Sequence, residues 1–209
     1  SHKSKVADYL KVPLKKIITI PQGPYIYKQN VIVNINKRYK IPAKKKILLI
    51  FGSVRTGKGI DKFLRAFKQC NTVDFYLLIA GKANEVQLEQ EIEIAVKGAD
   101  NIIFDNRFIP DEEVQAYFTK CDYVVLPYEN TLNSGVLLLA KSNNSKLLAN
   151  KNFMAYAQND DKIGNLFTQK ELQELLDKII LQKPSLSDER FIRHSWESVI
   201  KKFEQVVNE

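Results

Sequence analysis

Histidine, cysteine, methionine and tryptophan are all scarce in this 209-residue chain, which holds two His, two Cys, one Met and one Trp. Cys70 and Cys121 form no CxxC pair and lie near no histidine cluster. Neither a disulfide framework nor a zinc site is therefore suggested, and a reducing compartment fits. Both thiols read as small core hydrophobes at helix ends. His2 lies at the start and His194 beside Trp196 near the end, which leaves no histidine for catalysis in the loops discussed below. No apolar run approaches the ~18–20 residues of a membrane span, and no signal peptide precedes the first strand, so the expected location is cytoplasmic. The aromatic-basic signatures of RNA-binding modules are also missing, and the 10% aromatic content falls mostly at core-facing positions. Nucleic acid is not an expected partner.

What the chain does have is positive charge, +8 formally, with 44% hydrophobic and 27% charged residues. The lysines are dispersed, with small concentrations at Lys15-Lys16, Lys44-Lys45-Lys46 and Lys201-Lys202. Such charge favours anionic partners, here a phosphorylated small molecule or the inner face of a membrane touched peripherally.

From Lys46 onward, short apolar runs end in Gly, Pro or Asp and alternate with segments of helical spacing, the βαβ pattern. Ile47–Phe51 is apolar on both faces, as a central parallel strand requires. Ile60, Phe63, Leu64 and Phe67 recur at helical intervals, giving a helix over Lys58–Cys70. Phe75–Gly81, Asn101–Phe104 and Tyr123–Pro127 read as strands, with helices over Asn84–Val96 and from Pro110 through Lys120. Pro110 suits a first turn, and Asp111, Glu112 and Glu113 complement the exposed amides there. Ser134-Gly135 opens a further helix, Lys146–Ala149 is a short fifth strand, and Gln169–Leu181 and Asp188–Val207 read as helices. Ile18–Tyr25 looks like a strand and turn. The predicted class is α/β, a three-layer α/β/α parallel sheet, whose ligands bind beyond the carboxyl ends of the strands.

Four loops lie on that edge: Gly52–Lys58, Gly81–Ala83, Asn106–Ile109 and Tyr128–Gly135. The first fits most of a nucleoside-triphosphate loop, with Gly52, Gly57 and Lys58 in place. The next position should hold a Ser or Thr for magnesium, and it is Gly59. Arg55 offers a forked donor and Lys58 a point charge, so a diphosphate is the natural ligand. The plain alternative is that the glycines only turn the chain and the cations are solvated. Ser134 is an N-cap candidate, and Gly135 lets a ligand approach the backbone, although capping alone explains the serine. Asp105 and Arg107 are spaced to pair across their loop.

Taken together, FGSVRTGKGIDKFLRAF, the strand ending AGKA, NIIFDNRFIPDEEVQAYFTKCDYVVLPY and SGVLLLA resemble the C-terminal, donor-binding domain of family 4 glycosyltransferases with the GT-B fold. The likeness covers most of the chain. Residues 1–30, including Ile20-Pro21-Gln22-Gly23, look like the family's interdomain joining segment, and residues 187–209, with Trp196, like its closing helix. The resemblance implies one nucleotide-sugar-binding domain over residues 1–209, in a bacterial-type enzyme of polysaccharide or glycoconjugate assembly. That enzyme would transfer sugar with retention from a nucleotide-diphosphate donor, with no metal or other cofactor.

Arg55 and Lys58 then match the cations that neutralise the leaving diphosphate, a role consistent with the missing magnesium ligand. Gly52 would admit the phosphates, the amides of Ser134, Gly135 and Val136 would meet the distal one, and Phe108 and Ile109 would border the nucleobase. The family's two glutamates, one facing the donor sugar and one binding ribose, fall at Thr131 and Leu139, while Glu129 lies two residues too early but would be presented to the donor by a differently shaped loop. Leucine cannot accept a ribose hydrogen bond. The implied partners are the donor, an acceptor-binding N-terminal domain that would precede Ser1, and a lipid-linked acceptor at a membrane. Without that N-terminal domain the fragment is expected to be inactive. A non-catalytic donor-like domain serving binding or assembly is the alternative, and a magnesium-dependent NTPase built on Gly52–Lys58 a third.

Overall fold

The structure is a computed structural model and describes residues 2–20, 23–25, 33–129, 134–158, 160–182 and 196–207. In chain order the helices are α1 (His2–Leu10), α2 (Ile35–Arg38), α3 (Ile60–Phe67), α4 (Val86–Lys97), α5 (Asp111–Lys120), α6 (Gly135–Ser142), α7 (Gln169–Leu181) and α8 (Trp196–Val207). The strands are β1 (Lys46–Phe51), β2 (Phe75–Ala80), β3 (Ile102–Asp105), β4 (Tyr123–Leu126), β5 (Lys146–Asn150) and β6 (Lys162–Gly164).

The chain divides into two compact units, one of residues 1–26 with 191–209 and one of residues 27–190. In the smaller unit the Trp196 indole N–H donates to the Pro24 carbonyl at 3.0 Å. A side chain at Gly23 would sit 2.6 Å from Trp196 Cδ2, so the glycine is what admits the indole. The expected strand at Ile18–Tyr25 is not formed at Ile18–Ile20 or Gly23–Tyr25, which belong to no strand, while Pro21 and Gln22 lie outside the described residues. Apolar alternation alone does not make a strand without a neighbour to receive its amides.

The larger unit is the expected α/β sheet, six parallel strands in the order β3-β2-β1-β4-β5-β6. Because successive side chains point to opposite faces, the apolar run of β1 supplies both layers. Leu48 and Ile50 pack with Leu77, Ile79 and Val125 against Phe63 and Phe67 of α3, Ile92 of α4 and Leu176 of α7. On the other face, the Phe51 ring meets Phe118 of α5 edge-on at 5.0 Å and Tyr117 at 5.8 Å. The apolar positions at helical spacing, Ile60, Phe63, Leu64 and Phe67, are all buried, which explains why α3 forms where it does.

The order of strands fixes where a ligand can bind. From β1 the chain runs outward to β2 and β3, then returns to β4 on the other side of β1, so the crossovers diverge between β1 and β4. Their carboxyl ends open a crevice between the two following loops. One contact closes its floor, because Gly59, the N-cap of α3 at φ +63°, would place a Cβ 2.4 Å from the Pro127 carbonyl oxygen and 2.7 Å from Phe167.

Gly59→Ala should cost about 1–2 kcal/mol for the left-handed backbone and about 1–3 kcal/mol more for the clash. Gly57→Ala, at φ +85° with nothing within 4 Å of its missing Cβ, should lose only the first contribution. Urea unfolding of both variants checks this, and equal losses would contradict it.

Candidate functional site

The β1–α3 loop is held in place by its neighbour after β2. Gly52, at φ +83°, donates to the Ala80 carbonyl at 2.9 Å, and a Cβ on Gly81 would fall 2.2 Å from the Gly52 carbonyl oxygen. The clash excludes a side chain at Gly81, and the positive φ strains one at Gly52. Beyond them Val54 bridges Ala83, Asn84 Nδ2 donates to Ser53 Oγ at 2.9 Å, and the Thr56 amide donates to the Glu85 carboxylate at 2.9 Å. The Thr56 hydroxyl donates to the same carboxylate, and Glu85 is thereby held below the usual carboxylate range. Arg55 and Lys58 are thus carried on a loop whose backbone is tied down on both sides.

The β4–α6 loop brings the opposite wall. Asn150, buried at the end of β5, donates through Nδ2 to the Pro127 carbonyl at 2.9 Å and the Tyr128 carbonyl at 3.3 Å, and Asn152 donates to Tyr128 at 3.1 Å. The Tyr128 ring packs edge-on against Phe153 at 5.7 Å. Above that ring, at 5.4 Å from its centroid, lies Lys58 Nζ, a cation–π contact. Ser134 caps α6 by accepting from the Leu137 amide at 3.1 Å. The first amides of a helix have no partner within it, so those of Gly135 and Val136 face outward at the positive end of the helix dipole.

These two walls meet. The point where Gly52 would carry a Cβ lies 3.5 Å from Val136 Cγ2 and 3.9 Å from Lys58 Nζ, which sets the ammonium beside the start of α6. Among the described residues neither Arg55 nor Lys58 makes an ion pair. Burial and, secondarily, the nearby Arg55 guanidinium push the Lys58 ammonium down to about 8. Burial pushes the Tyr128 phenol up to about 12, against the Ser134 hydrogen bond and the Arg55 charge. A partly buried Lys58 ammonium with the exposed Arg55 guanidinium nearby, beside open amides, is an arrangement that an anion stabilises.

The other expected positions divide. Phe108 is 76% exposed at the carboxyl edge beyond β3, an exception to the core-facing aromatics, while Ile109 is buried. Glu129 directs its carboxylate to Lys62 of α3 at 2.7 Å, so in this state it faces a lysine instead of the crevice. Leu139 is buried in α6 and offers no acceptor. Thr131 lies outside the described residues, as does His194. Asp105 and Arg107 do pair, with Arg107 Nε 3.0 Å from Asp105 Oδ2. Tyr128 was not singled out from sequence as a site residue, and only its place beside Pro127 at a strand end could have flagged it. A separate cleft of about 370 Å³, lined by Asn71, Asp74, Phe75, Asp177, Ile180 and Leu181, lies at the opposite, amino-terminal edge of the sheet. No group of three or more potential metal-ligating side chains occurs among the described residues. No helix there is long and apolar enough to cross a membrane.

Known proteins share this fold and part of this sequence. The chain is 30% identical over 95 residues to the GDP-mannose:glycolipid 4-beta-D-mannosyltransferase of Xanthomonas campestris pv. campestris, covering 46% of this chain and 27% of that one. Sucrose-phosphate synthase from Thermosynechococcus elongatus superposes with a TM-score of 0.72 at 17% identity, over 100% of this chain and 56% of that one. Anabaena HepE, solved in complex with UDP and glucose, superposes with a TM-score of 0.61 at 15% identity, over 83% of this chain and 50% of that one. The chain spans about half the length of these solved structures and about a quarter of the mannosyltransferase. The family described as glycosyl transferases group 1 matches residues 32–193, most of the chain. This protein therefore belongs to the group 1 glycosyl transferases, and its parallel sheet and flanking helices are those of a GT-B glycosyltransferase domain.

Proposed function

We propose that this chain binds the nucleoside-diphosphate sugar of a glycosyl-transfer reaction, with the diphosphate seated between the Gly52–Lys58 loop and the start of α6. The observation that carries the reading is the convergence of Lys58 Nζ, the bare face of Gly52 and the α6 amides at the β1/β4 crevice. A sugar–phosphate bond breaks with negative charge accumulating on the departing diphosphate. Preorganised donors aimed at that charge lower the barrier without reorganising as it develops. Arg55 can span two phosphate oxygens with its fork, Lys58 acts as a point charge, and Gly135 and Val136 present backbone N–H groups. In this reading the cations and amides do the work that a divalent ion does elsewhere.

The finer features rest on the resemblance and on the relatives' own names. A UDP complex of HepE and the GDP-mannose donor of the Xanthomonas enzyme support a nucleoside-diphosphate sugar as donor. The glycolipid in the latter's name supports a lipid-linked acceptor, reached by peripheral contact with a membrane. Retention at the anomeric carbon, a cytoplasmic location and dependence on an acceptor-binding N-terminal domain are proposed on the resemblance. A second reading, a donor-like module without catalysis, is favoured by two observations: Leu139 is buried where a ribose-binding carboxylate would stand, and Glu129 is engaged by Lys62.

Calorimetric titration with UDP, GDP and ADP should show saturable binding of at least one, weakened at least tenfold by Arg55→Ala and by Lys58→Ala and unchanged by EDTA. Absence of binding by all three, or a requirement for magnesium, would overturn the reading. The Lys58 ammonium titrates near 8 in the free protein, and a bound diphosphate stabilises its protonated form. Affinity should therefore be near its plateau at about pH 7, fall through pH 8 and continue falling towards about pH 10, and Lys58→Arg should remove that fall. A pH-independent wild type would exclude Lys58 from the phosphate site.

A further inference from the structure

Two lysines of the β1–α3 segment lie over aromatic rings, and they are partnered differently. Lys62 Nζ sits 5.7 Å from the Phe167 ring centroid and 2.7 Å from the Glu129 carboxylate, which neutralises it. Lys58 Nζ sits 5.4 Å from the Tyr128 ring centroid and makes no ion pair among the described residues. A lysine ammonium is strongly hydrated and rides on a flexible four-carbon stem, so its ordinary place on a loop is in water. Lys58 is instead turned inward, where its Nζ lies 3.9 Å from the point at which Gly52 would carry a Cβ. Burial disfavours the charge there, and the Arg55 guanidinium repels it. Some attraction must offset both, and the negative face of the Tyr128 ring is the one the structure offers.

The ring is fixed from behind. It is buried, it meets Phe153 edge-on at 5.7 Å, and the Tyr128 carbonyl accepts from Asn150 at 3.3 Å and from Asn152 at 3.1 Å. Asn150 accepts in turn from the Leu166 amide at 2.9 Å. The other ionisable groups on the elements packed around Lys58 are few. Arg55 shares its loop, Glu85 before α4 is engaged by Thr56, Glu129 next to Tyr128 is committed to Lys62, and Lys151 between the two asparagines pairs with Glu171. Residues 135–138, the first turn of α6, carry none. As a partner, a ring differs from a carboxylate in that it attracts the ammonium without neutralising it. An anion arriving at Lys62 competes with Glu129, whereas one arriving at Lys58 meets a full positive charge.

Building on the donor-binding reading above, we propose that Tyr128 is the positioning residue for Lys58: the face of its ring holds the ammonium inside the crevice, beside the start of α6, before a diphosphate arrives. Its effect on the diphosphate passes through Lys58, and the ring carries it without the hydroxyl. A cation already dehydrated and ordered loses less on binding than one recruited from water, so the contact raises affinity for any diphosphate.

The test has two readouts on the full chain. Lysine side-chain NMR follows the titration of Lys58 in the free protein, with Lys58→Arg identifying its signal, and calorimetry at pH 7 gives the affinity for inorganic pyrophosphate. The wild-type ammonium should titrate near 8. In Tyr128→Leu the stem returns the ammonium to water, so its titration should rise towards the ordinary lysine range, and pyrophosphate should bind about tenfold more weakly. Tyr128→Phe, which keeps the ring face, should restore both. In a Lys58→Ala background Tyr128→Leu should have no further effect, since the two act in series. If Tyr128→Leu does not fold, the wild type decides, because the Lys58 ε-methylene protons should be displaced upfield by the ring beneath them, and ordinary positions would overturn the proposal. An unchanged Lys58 titration in Tyr128→Leu, or additive losses in the double variant, would make Tyr128 a support of the fold only. A wild type that binds neither pyrophosphate nor any nucleoside diphosphate overturns the donor-binding reading and this proposal with it, whereas one that binds while Tyr128→Leu binds equally well overturns this proposal alone.

Discussion

The structure depends on the reversal of strand order between β1 and β4. The strands of a parallel sheet all end at one edge, and the helices that follow present their amide ends to the same edge. Where consecutive crossovers diverge, no connection covers the gap, and two loops face each other across it. Here those loops carry Arg55 and Lys58 on one side and the α6 amides on the other, so the electropositive character of the crevice arises from topology and side chains together. The rest of the larger unit keeps the two walls at a fixed separation.

That fixing is done by close approach more than by strong bonds. Gly81 lies against the Gly52 carbonyl and Gly59 against the Pro127 carbonyl, at distances that exclude any side chain. Asn150 links β4's exit to β5 and, through the Leu166 amide at 2.9 Å, to the segment that packs Phe167 over Gly59. The cost of the site is carried by Lys58, whose ammonium is partly desolvated beside a second cation and rests on the face of Tyr128. An anion between the walls relieves that repulsion, which couples the occupancy of the site to the stability of the domain.

Much of the architecture was legible in the sequence because its signals are local. Ile47–Phe51 and Phe75–Ala80 are continuous apolar runs ended by glycine, and Gln169–Leu181 has the bounds its periodicity indicates. Ser134 was readable as a cap from its place before a helix. The features that were not legible are those made by pairing across the fold. Strand β6 has three residues, only one of them strongly apolar, and exists through its partner β5. The contacts of Tyr39 with Asp105, of Arg38 with Glu113 and of Lys62 with Glu129 each join positions more than sixty residues apart. No spacing rule connects them. Glu129 illustrates the consequence, since nothing local to the sequence indicates that its carboxylate pairs with Lys62 of α3.

Amide NMR tests most directly whether a diphosphate sits between Lys58 and the first amides of α6. In ¹H–¹⁵N spectra recorded as pyrophosphate is added, the Gly52, Gly135 and Val136 amides should show the largest shifts, saturating together. Largest shifts at the opposite edge, around Asn71, Asp74 and Asp177, would contradict the account.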